Sequence, residues 1–218
     1  MVETLIILLA PIVGVCLGVF WLIFFLFEDR EKPEPFLMIV ATFLLGFLAA
    51  LAAAFVQYLI ANFMLFPWYS LPSLFINGAI EEVAKLLVIL IFIKRSVFFD
   101  EPVDFMIYLI TAGLGFATIE NILFLASTAG FEEFIGLASL RFVGATLMHA
   151  LAAGFIGYFW AKNKLLLGLL IASIIHAAFN HVIIYFGPII YPTVLLIVTA
   201  IVLFYLFDTL KYNYEKPK

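Results

Sequence analysis

Charge is scarce in this sequence. Its 218 residues include 11 lysines and arginines and 15 aspartates and glutamates, 12% of the chain, against 67% hydrophobic residues. A soluble domain carries about 25% charged residues, so there is too little here to cover an aqueous surface. That excludes a cytoplasmic enzyme, a nucleic-acid binder and a disordered tail. Cysteine is nearly absent as well. Cys16 stands alone inside an apolar run, so no intrachain disulfide can form and a secreted disulfide scaffold is excluded. The ten-residue apolar–polar alternation of a transmembrane β-barrel is missing too, because the apolar runs continue unbroken for about 20 residues. Met1-Val2-Glu3-Thr4 lacks the basic flank of a signal peptide, and the run behind it is too long for one, so it reads as a retained span. What remains is an all-α, polytopic membrane protein.

Seven apolar segments fit, at about 4–27, 36–61, 73–93, 104–127, 136–161, 165–187 and 189–208. Their connections carry the expected turn residues, as in Glu28–Pro35 and Pro67–Pro72. None is long enough to separate two domains, so residues 1–218 read as one integral membrane domain. Basic residues test the count. Arg30 and Lys32, Lys94 and Arg95, Lys162 and Lys164, and Lys211, Lys216 and Lys218 fall in alternate connections or the tail. Nine of the 11 thus lie on one side of a seven-helix bundle. The positive-inside rule then places the N-terminus outside the cell membrane and the C-terminus in the cytoplasm.

The polar residues left inside the spans are the informative ones. They are Glu81, Glu82, Lys85, Glu120, Arg141, His149, His176 and His181, with Asn77, Asn121 and Asn180. A charge at mid-helix costs roughly 2.5–3.5 kcal/mol on insertion scales, so these groups must face a protein interior and have partners. At 1.5 Å per residue, Glu81, Glu82, Glu120, His149, His176 and Asn180 all lie roughly 10–20 Å below the outer surface. Four consecutive helices therefore deliver polar groups to one layer. Asn77, Glu81 and Lys85 share a helix face, which predicts a Glu81–Lys85 pair at i, i+4. His176 and Asn180 share another face. His181 points elsewhere, so any metal site must be assembled from several helices.

Two chemistries suit this group, and both hydrolyse a peptide bond. A buried carboxylate can act as general base on a water, with His176 and Asn180 stabilising the oxyanion. Alternatively, glutamates and histidines hold a divalent metal such as zinc that activates the water, leaving one glutamate as base.

The same residues form a pattern. Glu81-Glu82-Val83-Ala84-Lys85 matches EExxK, and Phe116–Asn121 matches FxxxEN. Met148-His149, followed by Gly154 and Gly157, and His176-Ala177-Ala178-Phe179-Asn180 complete it. Over about residues 36–185 this resembles the PrsW family of intramembrane proteases, within the larger group that includes the type II CAAX prenyl proteases. The resemblance implies regulated cleavage of a single-span, anti-sigma-factor-like membrane protein near the outer face. Carried over, it implies Glu81 as general base, Glu82 and Glu120 as partner carboxylates or metal ligands, His149 and His176 as ligands or proton donors, and Asn180 as oxyanion donor. In the CAAX relatives a histidine stands at the position of Glu120, which leaves both mechanisms open. The rival readings are a non-catalytic scaffold of the same larger group and a proton- or cation-coupled transporter.

Several residues carry blander expectations. Arg141 is expected to snorkel outward or to pair with Glu132 or Glu133. Gly113, Gly115, Gly154 and Gly157 are expected to allow close helix packing. Asp100, Glu101 and Asp104 read as an ordinary turn on the cytoplasmic side.

Overall fold

A computed structural model describes residues 2–30 and 32–215, with side chains to 212. Met1, Glu31 and residues 216–218, with Lys216 and Lys218 of the basic set, lie outside the described residues. The described residues form helices joined by short connections, with no strand. α1 (Val2–Leu26) runs into a 3₁₀ turn, Phe27–Asp29, and is followed by α2 (Phe36–Ala61) and α3 (Leu71–Val88). A π-helical turn, Ile89–Ile93, extends α3. Then come α4 (Asp104–Ala126), α5 (Phe131–Val143), α6 (Ala145–Ala161), α7 (Leu165–Phe186) and α8 (Ile190–Glu215).

Six stretches are long and apolar enough to cross a membrane: 2–29, 36–61, 104–126, 131–161, 165–186 and 190–212. The third expected span is helical over residues 71–93, long enough to cross, but Glu81, Glu82 and Lys85 lower its apolar character. The fifth differs from the single helix expected at 136–161. It starts at Phe131 and breaks at Gly144, whose backbone (φ −104°, ψ −97°) leaves the helical region. Hydropathy reads straight across such a break, because both pieces are apolar.

α4 is the centre of the bundle, packed against α1, α2 and α6, with every side chain from Met106 to Thr118 buried. A helix apolar on all sides is stable in that central position. Small residues let the backbones meet. A Cβ on Gly115 would stand 2.0 Å from the Phe43 carbonyl oxygen, and one on Gly46 would stand 2.2 Å from that of Ala112. The close packing expected at Gly113, Gly115, Gly154 and Gly157 is present at all four.

The basic connections gather at one end. Lys32 pairs with Glu101, joining the first and third connections. Lys211 pairs with Glu28 at 2.8 Å, and Lys94 lies 5.4 Å from the centre of the Trp160 ring. At the opposite end the Tyr185 hydroxyl donates to the Tyr69 carbonyl at 3.5 Å.

Candidate active site

Helices α2 to α7 all send polar side chains to one buried layer. On α3, Glu81 and Glu82 are successive residues and point about 100° apart. Glu82 is wholly buried and faces α6 and α7. Glu81 faces α2, where the Gln57 amide donates to its Oε1 at 2.9 Å.

Lys85 does not pair with Glu81 as the helical spacing predicts. Its Nζ lies 2.7 Å from Glu82 Oε1 and 2.8 Å from His149 Nδ1, and 4.7 Å from the centre of the Phe116 ring. Both i, i+3 and i, i+4 neighbours lie within reach on a helix. The choice is made by α6, which brings His149 to the Glu82 side.

The histidines are held from behind by charged groups. His176 Nδ1 donates to Glu82 Oε1 at 2.8 Å, which turns Nε2 toward Glu81 Oε2, 3.5 Å away. His149 receives Lys85 on Nδ1. Lysine can only donate, so the neutral ring carries its proton on Nε2 and gives it to Glu120 Oε2 at 3.1 Å. The two imidazoles meet edge to face, centroids 5.1 Å apart. Gly78 makes room for this on α3, since a Cβ there would lie 3.1 Å from the His176 ring.

Arg141 neither snorkels outward nor pairs with Glu132 or Glu133. It is 9% exposed and donates to Glu120 Oε2 and to Asn121 Oδ1, both at 2.5 Å. The reason is the break at Gly144, which orients α5 so that its last turn points back at α4. Asn121 is fixed in turn by donating to Thr146 Oγ1 at 2.8 Å. His181 stands apart from the cluster, its ring against Tyr185 at 4.4 Å.

A cavity of about 480 Å³ reaches this layer, with Gln57, Asn77, Glu81 and Asn180 as its polar lining and Phe66 and Trp68 among its apolar walls. Phe66 and Trp68 belong to the 62–70 connection, so the cavity lies toward the end away from the basic loops. Glu81 stands ten residues into α3, about 15 Å along its axis. Asn180 shares this cavity with Glu81, while Glu82 and Glu120 are engaged with Lys85, His176, His149 and Arg141.

The donor chemistry fits a divalent metal. Glu81, His149 and His176 each offer one ligand atom, all within 4.8 Å of one another and all buried. Glu81 Oε2 is buried and accepts no hydrogen bond among the described residues. Two imidazoles and one carboxylate form a known catalytic zinc set, and a carboxylate behind a ligand imidazole, as Glu82 stands behind His176, is the usual outer-shell support. To ligate through Nε2, His149 would give up its hydrogen bond to Glu120.

Gln57 is the site residue that the sequence reading omits. Its signal is that it carries the one side-chain amide in the run 36–61.

Residues 34–207 match a family model described as PrsW family intramembrane metalloprotease. A protease PrsW from Geobacillus kaustophilus is 32% identical over 151 residues, 69% of this chain and 65% of that relative. The chain thus spans just under two-thirds of that protein's length. The protease PrsW of Bacillus subtilis is 27% identical over 179 residues, covering 78% of this chain and 80% of the relative. That of Oceanobacillus iheyensis is 31% identical over 170 residues, covering 74% and 77%. No solved structure matches the chain.

Proposed function

This chain belongs to the PrsW family of intramembrane metalloproteases, and from that premise we propose that it cleaves a single-span membrane protein inside the bilayer. The scissile bond lies in the cavity beside Glu81, near the face opposite the basic loops. By the positive-inside rule that face is the outer face of the cell membrane, with the N-terminus outside and the C-terminus cytoplasmic. The family resemblance supports a substrate of anti-sigma-factor type and a first, site-1-type cut.

One observation carries the reading: the free oxygen of Glu81, which, unlike the equally unpartnered Oε2 of Glu82, belongs to a carboxylate that lines the cavity. Gln57 holds Oε1, which leaves Oε2 without a hydrogen-bond partner, facing His176 beside a cavity large enough for an extended peptide. Where no metal is bound, this oxygen takes the proton of the attacking water. Glu82 fixes the His176 ring, and the doubly protonated form of His176, with the Asn180 amide, stabilises the negative charge that develops on the peptide oxygen. Lys85 pairs with Glu82 and holds His149 directly, while Arg141 holds His149 through Glu120. A divalent metal such as zinc would be held by Glu81, His149 and His176, and when bound it supplies Lewis-acid polarisation and a water acidic enough to react at neutral pH. The base role and the ligand role draw on the same Glu81 oxygen.

Beside this site, an apolar trough of about 550 Å³ runs between α2 and α3, floored by Ala49, Ala52, Ala53, Ala79 and Ala84. It gives an apolar substrate helix a path to the cavity, because Val56 and Ile80 on its walls directly precede Gln57 and Glu81 in sequence.

The test compares protein N-termini in membranes of cells expressing wild type and Glu81→Gln at matched levels. New termini close to single-span anchors, present only with wild type, are expected. Identical profiles, with both proteins folded and the candidate substrates detected, would overturn the reading in favour of a non-catalytic scaffold. With the purified enzyme, chelation should abolish cleavage and added zinc restore it. Cleavage that survives chelation assigns Glu81 to base catalysis alone.

A further inference from the structure

Three carboxylates converge at the other end of the bundle, far from Glu81. Asp29 ends the turn after α1, Glu34 lies in the connection to α2, and Asp104 opens α4. Each offers an oxygen, and the three oxygens lie within 4.8 Å of one another. Asp29 is 7% exposed and Asp104 is 1% exposed. Burying like charges this closely is costly unless something positive joins them.

Lys211 pairs with Glu28 and Lys32 with Glu101, although Lys211 also attracts Asp29 from a distance. Asp104 Oδ2 accepts the backbone N–H groups of Asp100 and Glu101, at 2.8 and 2.6 Å, and the Tyr108 hydroxyl donates to Glu34. Asp29 Oδ2 is buried and accepts no hydrogen bond among the described residues. Burial, with Asp104 and Asp29 alongside, pushes the Glu34 carboxyl up to about 8 despite the hydrogen bond from Tyr108. An aqueous route is present, because Asp29 also lines a cavity of about 960 Å³ with Glu28, Glu101 and Lys211.

We propose that Asp29, Glu34 and Asp104 form a binding site for a hard divalent cation, calcium or magnesium. All three ligands are oxygens, which suits these ions and not a thiolate- or imidazole-seeking metal. The opposed oxygens of a calcium ion lie about 4.8 Å apart at a Ca–O distance near 2.4 Å, so the three groups already span one. The ion ties the end of α1, the approach to α2 and the start of α4 into one corner.

The experiment is thermal unfolding of the full chain in detergent, titrated separately with calcium chloride and magnesium chloride. Wild type should show a saturable rise in Tm with at least one of them. The rise should persist in Glu81→Gln, which removes the candidate active-site ligand. In Asp29→Asn and in Glu34→Gln the half-saturating concentration should increase about tenfold or more. Terbium provides a second readout, since bound at Glu34 it would be excited through the adjacent Tyr108. That emission should fall as calcium is added and vanish in Tyr108→Phe. No saturable shift in wild type overturns the proposal, as do a shift that Asp29→Asn and Glu34→Gln leave unchanged and a shift that disappears in Glu81→Gln.

Discussion

Two adjacent glutamates on one helix should respond to the same substitution in opposite ways. Glu82 is fully buried, and a single oxygen accepts both the Lys85 ammonium at 2.7 Å and the His176 N–H at 2.8 Å. Glu82→Gln keeps the shape but removes the charge, which strands a lysine that is itself wholly buried. Removing one partner of a buried pair costs about 3–5 kcal/mol. Glu81 has one hydrogen bond, from the Gln57 amide, and no cation within a direct hydrogen bond. In Glu81→Gln the new amide oxygen still accepts from Gln57, so stability should change by no more than about 1 kcal/mol. Cleavage should nevertheless be abolished, because the free carboxylate oxygen is gone. The assay is unfolding by SDS titration in mixed micelles, followed by circular dichroism, beside cleavage of a reconstituted substrate. The reasoning fails if both variants lose the same stability, or if Glu82→Gln unfolds like wild type.

Two further outcomes are expected. In Gly78→Val the added side chain meets the His176 ring, so His176 must move away from Glu81; overpacking of about 1–3 kcal/mol and a fall in cleavage rate larger than that in Gly78→Ala should appear in the same two assays. Without divalent cations, stability should fall as pH rises from the ordinary carboxyl value of 4.5 and level off above about 8, because folded Glu34 keeps a proton that the unfolded chain has lost. Glu34→Gln should flatten that slope in unfolding curves measured across the range; an unchanged slope would remove Glu34 as its source.

The helices and the polar layer were legible in the sequence because both follow from short-range rules. Apolar length sets each helix, and rise per residue sets the depth of Glu81, Glu120, His149 and His176. Partner choice was not legible. Lys85 sits within reach of Glu81 and Glu82 alike, and the contact that decides between them comes from His149, 64 residues away. Arg141 lies near the outer end of its span by count, which favours snorkelling. Its actual partner, Glu120, becomes reachable only because the helix breaks at Gly144. Gln57 follows the same logic, since one amide in an apolar helix has meaning only once the neighbouring helix is known.

The lining of the cavity beside Glu81 also filters what can enter it. Among the described residues, Glu81 is the one charged side chain on its wall; the rest are amides and apolar groups. Behind that wall two carboxylates, Glu82 and Glu120, are matched by two permanent cations, Lys85 and Arg141. That leaves the Glu81 carboxyl, with His176 Nε2 3.5 Å away, as the ionisable group an incoming peptide meets. Like charge brought against it in so poor a dielectric is strongly penalised. On the proposed function, the site is expected to discriminate by sign before it discriminates by shape, cutting substrates with acidic side chains beside the scissile bond more slowly than those with neutral or basic ones.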